Sequence, residues 1–264
     1  MRRPLLRLLA SLLILGVLGA AVLAYEVRHA LSQPRLPEDP GFDVDVRVGT
    51  DRPGPTLELV VLGDSLVAGV GATSAARSLV GRIASRASED LGQPVHAVGF
   101  GVSGAVTREV IDEQLEQVPD GVDAIVIEVG SNDVTHRTPS GAFRRDAERL
   151  LREATALAPV VVLGSAGELR SPLFQQPLRA IITRRATQLR EIQREVAADV
   201  DVPFMNVVEE VSPAYNDARP RSSSSDRFHP SDLGYDIWAR PLAERLVAAI
   251  SDHRASADGQ RHHA

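Results

Sequence analysis

From Leu57 onward the chain alternates short, nearly all-apolar runs with longer segments in which apolar residues recur at helical spacing. The runs at 57–62, 95–100, 124–129, 160–163 and 203–207 have the composition of strands covered on both faces. Between and after them, residues 78–91, 107–117, 141–157, 178–200 and 233–251 carry the amphipathic spacing of crossover helices. The pattern predicts an α/β fold, a three-layer α/β/α sandwich around a five-stranded parallel sheet. Residues 44–48 are compatible with one more short strand.

The stretch before this domain is patterned differently. Arg2, Arg3 and Arg7 precede an apolar run, 8–24, broken only by Ser11, Gly16 and Gly19. A basic start followed by about 17 apolar residues is the pattern of an export signal, at the short end of what spans a bilayer as a helix. The positive charges stay cytoplasmic, which puts everything after Ala24 outside. Val22 and Ala24 also suit signal cleavage, so a retained membrane anchor and a released protein both stay open, beside an N-terminal helix buried in the fold. Pro34, Pro37, Pro40, Pro53 and Pro55 make 26–55 read as an extended tether. The expected organisation is an anchor or signal at 1–25, a Pro-rich linker at 26–55, the folded domain at 56–251 and a disordered tail at 252–264. No metal site is expected at that tail's His253, His262 and His263. The four serines at 222–225 read as a flexible surface connection.

Composition narrows the chemistry. A net charge of −6 and the absence of any long basic run after the N-terminus argue against a nucleic-acid partner. The absence of cysteine removes disulfides, thiol nucleophiles and thiolate metal ligands together. The expected state is a monomer.

In open parallel sheets the ligand site lies beyond the carboxyl ends of the strands, so the polar residues after each apolar run carry the interest. Gly63-Asp64-Ser65-Leu66 follows the first run, Gly101-Val102-Ser103-Gly104 the second and Gly130-Ser131-Asn132-Asp133 the third. Ahead of the last helix stands Asp226-Arg227-Phe228-His229-Pro230. A serine hydroxyl needs an imidazole to take its proton, and His229 can do so. That imidazole needs an acceptor on its other nitrogen, and Asp226, three residues earlier, can supply one. An oxyanion then needs preorganised donors, for which the Ser65 N–H, the Gly104 N–H and the Asn132 side-chain amide are suited.

These blocks resemble the SGNH hydrolases, also called GDSL esterases and lipases. Ser65 in GDSL, Gly104 in SGAVT, Asn132 in GSND and His229 in DRFHP occur in the family's order, and the resemblance runs from Gly63 to about Ala239. It implies a flavodoxin-like sheet, a Ser65–His229–Asp226 triad, an oxyanion hole of Ser65, Gly104 and Asn132, and acyl-ester hydrolysis without metal or organic cofactor. Each block alone is an ordinary turn or helix cap; four in order at the ends of the right elements are not.

Asp64 and Asp133 read as supports of their turns rather than catalysts. Glu128, inside an apolar run, is expected at an exposed or sheet-end position, and His136 on a solvated loop. Leu169, Leu173 and Phe174, within 164–177, either form an acyl-binding wall or pack their own loop. The substrate class is a small-molecule, lipid or glycan ester. The rivals are an O-acetyltransferase or carbohydrate deacetylase using the same triad, and a non-catalytic binding module. A dinucleotide-binding protein is opposed by the lack of a G-x-G-x-x-G run after the first strand.

Overall fold

The computed structural model describes residues 2–167 and 171–261. One sheet contains β1 (Asp45–Val48), β2 (Leu57–Gly63), β3 (Val95–Gly101), β4 (Ala124–Glu128), β5 (Val160–Gly164) and β6 (Phe204–Met205), in the spatial order β1-β3-β2-β4-β5-β6. The strands from β2 to β6 are parallel, while β1 runs antiparallel along β3. The five expected strands thus form a parallel sheet, and residues 45–48 add a sixth, antiparallel strand at its edge, which makes the whole sheet mixed. The extra strand is explained by alternation: Val44 and Val46 are buried while Asp45 and Arg47 face water, the pattern of an edge strand with one wet face.

The helices are α1 (Arg2–Leu31), α2 (Ser65–Ala68), α3 (Leu79–Leu91), α4 (Thr107–Glu109), α5 (Ser131–Thr135), α6 (Ser140–Leu157), α7 (Leu178–Asp199), α8 (Val207–Glu210), α9 (Ser212–Asp217) and α10 (Asp232–Arg261). On one face of the sheet α3 and α10 bring Leu79, Ile83, Tyr235 and Leu242 against Leu59, Val61 and Val126. On the other, α6 and α7 bring Phe143, Leu150 and Leu189 against Val60, Leu62 and Ile127. Successive strand residues point to opposite faces, so covering both faces requires the unbroken apolar runs of the sequence. Each fully buried Leu or Ile contributes roughly 1.5–3 kcal/mol.

Several boundaries depart from the sequence pattern. Only the first turn of 107–117 is α-helical; Val110–Gln114 widens and Leu115–Gln117 tightens, where Gln114 turns inward to the end of β2. β6 spans two residues, because the Asn206 side chain accepts the Val208 N–H at 3.1 Å and starts α8 there. The last helix does not stop at Ser251. It continues to Arg261, since 252–261 contains helix formers and no breaker except Gly259. His253 is thus helical, and His262 and His263 lie outside the described residues.

The Pro-rich stretch is not a free tether either. α1 carries the chain to Leu31, with Glu26 and Ala30 buried against the domain, and Phe42 packs into the cluster beneath α3. The segment between is a strap over the domain surface. Leu9–Leu31, with mean hydropathy 2.0, is long and apolar enough to cross a membrane, a test that a signal sequence also passes.

Candidate active site

The strand register sets the turns after β2, β3 and β4 side by side, because Gly63 pairs with Gly101 on one side and Glu128 on the other. Asp64 caps α2, its Oδ1 accepting the Leu66 N–H at 3.0 Å, and Ser65 is the first residue of that helix. From across the sheet, the 226–229 loop brings His229 to it. His229 Nε2 lies 3.2 Å from Ser65 Oγ, and His229 Nδ1 lies 2.7 Å from Asp226 Oδ2. With Nδ1–H donating to the carboxylate, Nε2 is left to accept the serine proton. All three residues are buried.

Asp226 is held by more than His229. Its Oδ1 accepts the Phe228 and His229 N–H groups at 2.9 and 3.0 Å and the Ser224 hydroxyl at 2.9 Å. Burial alone would raise the carboxyl's pKa; the His229 hydrogen bond and the two backbone donors outweigh it and hold the group below the usual carboxylate range. The four serines are accordingly no flexible connection. Ser222 donates to the Tyr215 carbonyl, Ser223 meets the Tyr215 hydroxyl, and Ser224 bonds both Asp226 and the His229 carbonyl.

Asn132 sits in the first turn of α5. Its Nδ2 donates to the Ala105 carbonyl at 3.0 Å and to Asp64 Oδ2 at 3.2 Å, so Asp64 orients this amide as well as capping α2. Burial pushes Asp64 up to about 6, against the Leu66 N–H and the nearby His229, which both lower it. Gly104 follows β3 at φ +86, a conformation that favours glycine. Among the described residues, no atom lies within 4 Å of where its Cβ would stand, which leaves room for an incoming group. Asp133 is buried and accepts the Thr107 N–H and hydroxyl at 2.9 and 2.8 Å, tying the turn after β3 to α5. Burial raises its pKa.

Glu128 is a correction in part. It stands at the sheet end, yet it is 2% exposed rather than open to water. It fits because its neighbour in register on β5 is Gly164, where a Cβ would lie 1.7 Å from Glu128 Oε2. Burial and the Asp64 charge raise its pKa well above the ordinary carboxyl. Gly164→Ala is therefore expected to destabilise the fold by about 1–3 kcal/mol, measured by denaturant unfolding. His136 is exposed at the end of α5 and does not line the cleft.

Two buried glutamines carry a role that the sequence pattern did not reveal. Gln114 accepts the Gly63 N–H at 2.9 Å and donates to the Gly63 carbonyl at 2.8 Å, clamping the strand end behind Ser65. Gln193 does the same between Ala166 and Val129, at 2.8 and 2.9 Å. Their only sequence signal is a polar residue on the apolar stripe of a helix. The cavity beside Ser65 has a volume of about 90 Å³, and Val207, Val211, Tyr215 and Trp238 supply much of its apolar wall. Leu173 and Phe174 are buried away from it, Phe174 edge-on to Phe228 at 6.4 Å, so they pack their loop. Leu169 lies outside the described residues.

The fold is that of the α/β/α hydrolases. The chain belongs to the GDSL-like Lipase/Acylhydrolase family, whose model matches residues 61–237. A GDSL-like esterase of Mycobacterium tuberculosis is 27% identical over 202 residues, 74% of this chain and 63% of that protein. The chain thus aligns with less than two thirds of that relative's length. In fold it is similar to an acetylxylan esterase from Geobacillus stearothermophilus, with TM-score 0.54 at 18% identity over 72% of this chain and 93% of that one. An α/β hydrolase from the metagenome of Lake Arreo, Spain, gives TM-score 0.57 at 16% identity over 72% and 94%.

Proposed function

We propose that this protein hydrolyses short-chain carboxylic esters through a Ser65–His229–Asp226 triad and an acyl-enzyme. The observation that carries this reading is the hydrogen-bonded series from Ser65 Oγ through the His229 ring to Asp226, at 3.2 and 2.7 Å. His229 Nε2 takes the Ser65 proton as Oγ bonds to the ester carbonyl carbon. The resulting oxyanion is met by the Ser65 and Gly104 N–H groups and by Asn132, whose amide turns from its present acceptors to do so. Collapse breaks the bond to the alkoxy oxygen, which leaves with the proton from His229. Water then repeats the sequence on the acyl-enzyme, giving the carboxylic acid and free Ser65.

Cavity size selects the acyl group. An apolar cavity of about 150 Å³ takes one benzene, so 90 Å³ holds roughly three or four heavy atoms. Acetyl and propionyl fill it, and a longer acyl chain would have to extend through its open side into water. The acetylxylan esterase named above acts on acyl groups of this size, which favours O-acetyl esters of carbohydrate as substrates. In this reading the apolar segment Leu9–Leu31 serves export, retained or not as an anchor, with the domain outside the cytoplasmic membrane. A profile of p-nitrophenyl esters is expected to peak at acetate or propionate and to fall beyond butyrate. A maximum at eight carbons or more would overturn the short-chain assignment.

Asn132→Ala removes one oxyanion donor and is expected to lower kcat about 10²–10³-fold. Steady-state kinetics on p-nitrophenyl acetate measure this. The melting temperature should fall by only a few degrees, since the variant loses the amide's bonds to Ala105 and to the buried Asp64 while the core stays intact.

A further inference from the structure

We propose that the strap following the apolar helix, Glu26 to Leu36, is a positioning element of the catalytic centre, with Arg35 its principal contact. The inference rests on the triad assigned above. Its ground is a continuous series of contacts from α1 to the Asp226–His229 loop.

Glu26 is nearly buried, and its Oε2 accepts the Leu178 N–H at 2.8 Å, capping the start of α7. Leu23, Val27 and Ala30 pack into the same apolar cluster as Phe174 and Phe228. Beyond Leu31 the chain turns over the loop itself. The Arg35 guanidinium carbon lies 4.1 Å from the centre of the Phe228 ring, and that ring meets His229 edge-on at 5.0 Å. The Leu36 N–H points to Asp226 Oδ2 at 3.4 Å, a long contact to the same oxygen that holds His229 Nδ1.

The loop needs such support. Arg227, between Asp226 and Phe228, has φ +57, a left-handed conformation that a non-glycine residue keeps only when its surroundings over-determine it. Ser224 and the backbone bonds to Asp226 fix one side of this turn. On the other side, Arg35 covers Phe228 by a cation–π contact and so limits where the His229 ring can tilt. Arg35 lies four residues past the end of α1, so at most about 14 Å of extended chain separates the helix from the catalytic loop. Cleavage after Ala24 would leave this segment whole, so the role holds for tethered and released enzyme alike.

The test uses the full chain in detergent micelles, with p-nitrophenyl acetate as substrate and active sites counted by the end point of fluorophosphonate labelling. Arg35→Ala is expected to lower kcat per active site, and the rate of Ser65 labelling, about threefold to tenfold. KM should stay unchanged, because the acyl wall is untouched. Arg35→Lys keeps a cation over the ring and should recover most of both rates. Arg35 is exposed, so neither change threatens folding. Wild-type rates per active site in Arg35→Ala would overturn the proposal, as would a loss that appears in KM alone or that lysine does not relieve. If wild-type enzyme were active but unlabelled at Ser65, the triad reading would fail instead, which separates the two.

Discussion

Replacing Ser65 by alanine is expected to lower kcat for p-nitrophenyl acetate by about 10⁵–10⁶-fold while the protein stays folded. The size of the loss follows from the geometry. Ser65 Oγ is the hydroxyl 3.2 Å from His229 Nε2, so the variant leaves the imidazole in place with no nucleophile to activate. What survives is binding and the oxyanion donors, which give only a small residue of catalysis. The fold tolerates the change because α2 is capped by Asp64 rather than by Ser65, and α2 itself packs through Leu66 and Val67. Steady-state rates and a thermal melt distinguish this from unfolding. Wild-type turnover in the variant would sink the mechanism.

Asp226→Asn should cost kcat about 10³–10⁴-fold, and it should also change how stability depends on pH. The carboxylate does two jobs. Oδ2 fixes the His229 tautomer, and Oδ1 collects the Phe228 and His229 N–H groups with the Ser224 hydroxyl. An asparagine must turn its NH₂ toward donors on one side or the other, which leaves at least one facing another donor. The folded carboxyl is held below its unfolded value of about 3.9, so it contributes stability above that pH and loses it as pH falls toward the folded value. The gap in stability between wild type and Asp226→Asn is therefore expected to be widest above pH 5 and to close below pH 4. Asp64 acts in the opposite sense. Pushed up to about 6, it favours the folded state below pH 4 and loses that contribution as pH rises through 6. Denaturant unfolding at several pH values reads both. A gap that stays constant from pH 7 to pH 3 would contradict the assigned role of Asp226.

Much of the site was legible because its parts are local. Gly63 to Ser65, Gly101 to Gly104 and Gly130 to Asp133 each follow an apolar run, and a strand that ends in glycine and polar residues announces both the turn and its place at the sheet's carboxyl edge. The Asp226–His229 pair was legible for the same reason, since three residues of loop suffice to bring a carboxylate to an imidazole. Glu128 was half legible. Its position at a strand end follows from the run it closes, but its burial depends on Gly164 of a neighbouring strand, 36 residues away.

Local pattern was enough for the alternating α/β architecture, the order of the parallel strands' apolar runs and the polar residues at their ends, because apolar periodicity and turn chemistry act over a few residues. What supports those residues follows from the packing of distant segments. Gln114 and Gln193 clamp strand ends 51 and 27 residues distant, the serines at 222–224 tie down the 226–229 loop, and the Pro-rich segment lies across that loop instead of hanging free. These contacts join side chains whose sequence neighbours carry no trace of the partner. A hydrogen bond between buried groups far apart in the chain is set by how the layers pack, and no local pattern encodes it.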